Sequence, residues 1–310
     1  MTLAMLSAKA FAASRRFVQE NARPLEVARL RHAFDGASGD AVLDALKSYQ
    51  NPDGGFGRAL EPDLRADESS ALCTSVAFQV LRATQPALDE ALVTRGVAYL
   101  LNTLDKDKAH WRIIPRSAEE SPHAPWWNQT GREDVFNGFS LNPTAEILGY
   151  LFDYRRLVPQ DIIALVSDRV ADRLIALETI EMHELLCCVR LLGTEALTEE
   201  LRERIWPKVA QLANETVARD PIQWKTYGLR PLQVADDPSS QFMAHLDEPV
   251  AANLDYEITS QNEDGSWSPT WSWGSVFPDA WEQARREWSG IITVEKLLLL
   301  KAFRRIEGIA

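Results

Sequence analysis

The eight residues EPDLRADE, Glu61 to Glu68, hold four carboxyl groups: Glu61, Asp63, Asp67 and Glu68, with Arg65 among them. Burial raises a carboxyl pKa, and a neighbouring carboxylate raises it further. One acid of such a set can stay protonated while another accepts its hydrogen bond, which is what a general acid needs. The same residues would equally serve as helix caps and as partners of Arg65 on a solvated loop, an arrangement without chemistry.

Other chemistries find less in the sequence. The histidines are His32, His110, His123, His183 and His245. His183 precedes Cys187 and Cys188 at helical spacing, but core thiols beside a hydrogen-bonded histidine share that spacing, and no metal site is expected. Asp236-Asp237 runs into Pro238 and two serines and reads as a loop, so magnesium-dependent ionisation of a diphosphate is not expected. There is no P-loop and no dinucleotide fingerprint, and no cofactor is expected. The chain has 310 residues, 45% hydrophobic and 25% charged, with net charge −12 and pI about 5.0. That balance argues against a nucleic-acid partner. Three cysteines without Cys-x-x-Cys spacing fit a reducing, cytoplasmic setting. In MTLAMLSAKAFAASRRF the positive charge follows the apolar stretch, the reverse of a secretory signal. No run reaches the roughly 18 apolar residues of a membrane-spanning helix.

The elements that must position these groups are helical. No alternating strand pattern of any length occurs, and periodicity predicts helices over roughly 4–20, 24–34, 38–50, 69–84, 89–104, 142–156, 160–178, 182–193, 198–218, 221–228, 247–261 and 288–306. Ser69 and Ser70 can cap the helix after them. Asn142-Pro143 reads as an N-cap with proline at the first helical position, and Asp89 and Glu90 favour the positive end of theirs. Pro207 should kink or split its helix. Segments near 89–104, 160–178 and 198–218 are amphipathic, whereas ALCTSVAFQVL, Ala71 to Leu81, has no charge. Outer and buried helices thus alternate, the pattern of a helical-hairpin repeat.

One turn is written twice: QNPDGGFG from Gln50 and QNEDGSWS from Gln261. Gly54, Gly55 and Gly265 can take positive φ and end a helix sharply, Gln can cap a helix end, and Phe56 or Trp267 can pack between hairpins. The turn therefore reads as architecture. It resembles the repeat of squalene cyclases and protein prenyltransferase β-subunits, in which Gln and an aromatic bracket Asp-Gly. Weaker versions stand at LLNTLDKDKAHW and ALETIEMHEL. The resemblance covers the hairpin pattern over most of the chain. It implies an all-α fold: a single α/α toroid domain over 1–310, with 1–34 as N-terminal helices packing on or completing the ring. In such rings reactive groups lie in the loop before an inner helix, here RALEPDLRADESSALCTS.

The resemblance offers two chemistries. Glu61, Asp63, Arg65 and Cys73 are similar to the Glu-x-Asp-x-Arg of protein prenyltransferases, but the Asp-x-Cys of their zinc site is missing. RADESSA resembles the Asp-x-Asp-Asp, Thr-Ala signature of class II terpene cyclases, and among these the chain looks most like single-domain cyclases of meroterpenoids. That implies a metal-independent enzyme that protonates a linear isoprenoid or a prenylated aromatic. An alkene is a poor base, so the donor must be a protonated acid in a dry cavity. Asp63 is the expected donor, Asp67 the second choice, Glu61 an orienting partner and Arg65 a substrate contact. Aromatic faces would steer the carbocation: Trp126, Trp127, Phe136, Phe139, Trp224, Tyr227, Trp271, Trp273 and Trp288. Peripheral membrane contact is compatible with such a substrate, although no stretch identifies it, and the oligomeric state is left open. The competing readings are a carbohydrate-active toroid, a glycosidase or lyase with an open polar groove, and a non-catalytic binding module with a plugged centre.

Overall fold

The computed structural model describes residues 4–87 and 90–309. Among them the chain forms α-helices, short 3-10 turns and isolated β-bridges, and no strand. The fold is all-α. The helices are α1 (Ala8–Asn21), α2 (Pro24–Asp35), α3 (Asp40–Lys47), α4 (Ala71–Thr84), α5 (Ala91–Thr103), α6 (Glu133–Asn137), α7 (Leu141–Asp153), α8 (Gln160–Ile175), α9 (Met182–Leu192), α10 (Glu199–Thr216), α11 (Pro231–Val234), α12 (Met243–Thr259) and α13 (Pro278–Ala302). They gather into two compact units: a central unit, Leu46–Thr216, and a terminal unit made of the described residues that flank it in sequence.

In the central unit α7 is the most enclosed helix, buried at Leu141 and from Pro143 to Phe152, and it packs against α4, α8 and α9. α8 and α10 bury one stripe each: Ile162, Val166, Val170 and Leu174 on α8, Leu201, Ile205, Val209 and Leu212 on α10. Side chains at this spacing share one helix face, and each contributes about 1.5–3 kcal/mol by leaving water. α10 runs unbroken through Pro207, contrary to the expected kink or split. Pro207 is exposed, so the carbonyl that loses its partner faces water. Ser70, not Ser69, caps α4 by accepting from Cys73 N at 3.0 Å. Asn142 is extended (φ −95°, ψ 116°), so regular helix begins at the cis-linked Pro143. Glu90 stands at the N-cap of α5 without a side-chain cap bond; Asp89 lies outside the described residues.

The doubled turn is one network built twice. In the central unit Asn51 N donates to Gly55 O (2.8 Å), Gly54 N to Asn51 O (3.0 Å) and Gly55 N to Asp53 Oδ1 (3.0 Å). In the terminal unit Asn262 N donates to Ser266 O (2.9 Å), Gly265 N to Asn262 O (2.9 Å) and Ser266 N to Asp264 Oδ1 (2.9 Å). Gly54 and Gly265 have φ of 92° and 89°. A Cβ on either would lie 2.4 Å from backbone, of Arg95 on α5 or of Ala13 on α1. Gly55 has no positive φ, and the Gln side chains cap no helix end in their own hairpin. Gln50 Nε2 instead reaches Leu92 O on α5, and Gln261 Nε2 reaches Ala10 O on α1. Thus α1 serves the second turn as α5 serves the first. The chain ends of the terminal unit are joined as well: Leu6 N donates to Arg305 O and Glu307 N to Leu6 O.

Each turn is then tied to the helix behind it. Phe56 N donates to Thr74 Oγ1 on α4 (3.0 Å), and Trp267 N to Thr293 Oγ1 on α13 (3.1 Å). The weaker copy at LLNTLDKDKAHW keeps this tie in longer form, Trp111 N to Thr144 Oγ1 on α7 at 3.5 Å. Its indole Nε1 donates to Leu100 O, as Trp267 Nε1 donates to Glu257 O.

The elements differ from expectation mainly in the terminal unit. Residues 221–228 hold only a 3-10 turn, Gln223–Lys225, and α12 begins at Met243. α13 begins at Pro278, ten residues before the apolar periodicity does, because proline at the first turn starts the helix. α6 and α11 are too short to leave a periodic signal.

Candidate functional site

The acid loop belongs to the central unit, between the first turn and α4. It is pinned on both sides by backbone. Arg58 N donates to Ala66 O (3.0 Å), and Asn51 Nδ2 to Asp67 O (2.8 Å). On the other side Arg65 N donates to Pro122 O (3.0 Å) and Ala124 N to Asp63 O (2.8 Å), with Leu64 bridged antiparallel to His123. This pinning sorts the four acids. Glu61 and Asp63 are buried, at 8% and 3% exposure. Asp67 and Glu68 are exposed, so Asp67, the second choice as donor, stands in water. None of the four caps α4, whose first turn contains no acid. Arg65 is half-buried.

The segment that pairs with the acid loop carries His123, which sequence reasoning passed over. It is buried, with Nδ1 2.6 Å from Ser121 O and Nε2 2.7 Å from Asn128 Oδ1. Just beyond it, Trp126 is exposed and Trp127 half-buried. The Trp127 indole N–H is shielded from water without an acceptor. Phe136 is buried beneath Arg112 and Arg132, at 6.0 and 5.5 Å. Phe139 stacks on buried His110 (5.7 Å) and faces the Arg169 guanidinium (4.8 Å).

The remaining expected aromatics fall in the terminal unit, and they divide in two. Trp224 and Trp273 are core residues: Trp224 donates Nε1 to Ala218 O (2.7 Å) and meets Tyr256 edge-on, while Trp273 packs on Trp281. Full enclosure by protein leaves their faces no room for a substrate. Tyr227, Trp271 and Trp288 instead form an edge-to-face row, at 5.5 and 5.1 Å, with Tyr227 half exposed.

Among the described residues three further acids are buried, Glu26, Glu146 and Glu257, and the last two were missed because their cationic partners are distant in sequence. Glu146 on α7 accepts from Tyr150 Oη (2.5 Å), Arg190 Nη1 (3.1 Å) and Cys187 Sγ (3.6 Å). Burial, with Glu146 beside it, pushes the Cys187 thiol far above its ordinary range, so it is inert at neutral pH. Glu257 lies on α12 in the terminal unit. His183 is at the exposed start of α9, bonded to Glu181, away from the buried thiols. Among the described residues no three of His, Cys, Asp or Glu come together in a way that could hold a metal ion.

Two hollows lie beside copies of the motif. One, of about 160 Å³, lies at the head of α4 beside Ser70, Tyr99 and Trp111. The other, of about 480 Å³, is polar and lies beside Phe17, Asn262, Asp264, Arg286 and Ser289. Ser289 stands four residues before Thr293, as Ser70 stands four before Thr74. Neither hollow is lined by Glu61 or Asp63. No helix among the described residues is long and apolar enough to cross a membrane. Set against known proteins, the chain matches no protein-family model, no curated protein and no solved structure.

Proposed function

We propose that this chain is a protonation-initiated, metal-independent cyclase of a linear isoprenoid or prenylated aromatic, built as a single α/α toroid. One observation carries the reading. Of four clustered acids, the two assigned as donor and orienting partner, Asp63 and Glu61, are the two out of water. The use of α1 by the second turn, in the place of α5 at the first, supports a repeat that runs on from α13 to α1. In this chemistry the Asp63 O–H protonates a substrate alkene, and the positive charge passes to the adjacent carbon. The π pair of a second alkene then forms the ring bond, and loss of a proton to a base closes the cycle. Aromatic faces stabilise the cation by about 0.5–2 kcal/mol each. The reading requires a dry apolar chamber against Asp63, so binding is tested first. Radiolabelled geranylgeranyl substrates, given without metal and with chelator, should be retained and cyclised by the native chain. Asp63→Asn should bind without turnover.

The polar hollow favours one alternative, a carbohydrate-active enzyme, because Asn262, Glu263, Asp264 and Arg286 can all bond hydroxyl groups. Release of reducing ends from a polysaccharide panel, with no retention of isoprenoid, would select it.

A further inference from the structure

Three copies of the turn motif share one register, so equivalent positions can be compared within the chain. Leu46 and Glu257 each stand ten residues before the aromatic that is tied to threonine, Phe56 or Trp267, and in the longer copy Leu100 precedes Trp111 by eleven. The equivalence of Leu100 and Glu257 is also physical, since both carbonyls accept the indole N–H of that aromatic. Three residues after the threonine stand Ala77, Ile147 and Lys296. In the central unit these places are therefore dry: Leu46, Ala77, Leu100 and Ile147 are all fully buried aliphatics. In the terminal unit the same two places hold a carboxylate and an ammonium.

The motif does not need those charges, and burying them is costly. An ion pair in a protein interior is often no more stable than aliphatic side chains of similar volume. Glu257 is 1% exposed, and Lys296 and Arg230 are 13% exposed. All three donors meet a single oxygen. Lys296 Nζ lies 2.7 Å, Arg230 Nη1 2.9 Å and Asn253 Nδ2 3.2 Å from Glu257 Oε1. Glu257 Oε2 is buried and has no hydrogen-bond partner. Arg230 also donates to Trp224 O, which holds its guanidinium in place.

We propose that Glu257, Lys296 and Arg230 form a ligand site in the terminal unit for a small hydroxylated monoanion. Two requirements set that chemistry. Two cations against one carboxylate leave one positive charge uncompensated where water is scarce, so the ligand carries one negative charge. Oε2 is an unused acceptor, so the ligand also carries an O–H to donate to it. Hydroxy acids and sugar acids meet both conditions. The site is independent of the acid loop and of the cyclase reading.

Glycolate tests the inference, with acetate and ethylene glycol as probes lacking one requirement each. By calorimetry on the full chain, glycolate should bind at least about tenfold more tightly than acetate, the value of one added hydrogen bond to a charged group. Ethylene glycol should not bind. Glu257→Gln replaces the charged acceptor with a neutral amide, and should weaken the preference for glycolate while keeping anion binding. Glu257→Leu with Lys296→Ala installs the pair found at the first turn. It should fold cooperatively and lose the preference for glycolate, while Arg230 keeps the one positive charge. Equal binding of glycolate and acetate by the native chain, no binding of either, or a preference undiminished in Glu257→Gln overturns the proposal. So does a double variant that cannot fold, since the charges would then be required by the fold.

Discussion

Thr74 and Thr293 perform one task in two places: each hydroxyl accepts the backbone N–H of a buried aromatic, Phe56 at 3.0 Å and Trp267 at 3.1 Å. Neither threonine is reached by water. Valine has the same shape without the oxygen. Thr74→Val and Thr293→Val should each cost about 1–3 kcal/mol, the penalty for an unsatisfied buried donor. Denaturant unfolding with unchanged slope is the measurement.

The turn glycines should be far less replaceable than a glycine at a helix end. Gly54→Ala and Gly265→Ala combine positive φ with a Cβ only 2.4 Å from backbone. Neither contact can relax without moving α5 or α1. Gly36 also has positive φ, 66°, but nothing lies within 4 Å of its added Cβ. Gly36→Ala should cost about 1–2 kcal/mol, the strain of a left-handed residue, and the turn variants distinctly more. Thermal unfolding of the three variants side by side decides.

Asp63 and Asp67 differ in water contact, so their variants should separate. Under the cyclase proposal Asp63→Asn should lower turnover by at least about a hundredfold, as loss of a general acid does. Asp67→Asn should stay within a few-fold of the native chain. Product analysis on isoprenoid substrates makes the comparison, and equal activity of both variants would remove Asp63 from the mechanism.

Stability should fall in mild acid through His110. Burial lowers its pKa, an effect opposed in part by Asp105 and added to by Lys108 and Arg169. The unfolded chain takes up a proton near pH 6.5, whereas the folded chain does so only at lower pH. Between those values the unfolded state binds more protons, so stability is full above about 6.5 and declines as pH falls below it. His110→Gln should flatten that part of the profile when unfolding free energy is measured from pH 8 to pH 5.

Much of the helical scaffold was legible because local signals agree with burial. The charge-free ALCTSVAFQVL is α4, and the stripes of α8 and α10 repeat at helical spacing. The turn motif carried its meaning in Asp-Gly and the aromatic, whereas Gln, expected to cap a helix end of its own hairpin, reaches a carbonyl of α5 or α1 instead. Sorting the four acids was not legible, because the pinning of Asp63 and the exposure of Asp67 depend on backbone bonds to residues 122 and 124 and on the side chain of Asn51. Nor was Glu257 legible. WSGIITVEKLLLL reads as apolar over most of a face, and nothing local says that Lys296 turns inward to a carboxylate thirty-nine residues earlier. Trp224 and Trp273 failed as cavity candidates for a related reason: aromatic clustering in sequence does not distinguish packing from lining.

The service that α1 gives to the second turn has a consequence on the ribosome. Ser14 Oγ donates to the carbonyl of Gly265, across 251 positions of sequence. A nascent chain can therefore pack α1 on α2 early, through Phe11 and Phe34, but the face that meets α13 and the second turn waits until they are synthesised. Leu46–Thr216 is contiguous and can collapse as it emerges. Among the described helices α1 thus waits longest for its seat, and the interval is when a chaperone, or a wrong neighbour, would meet it.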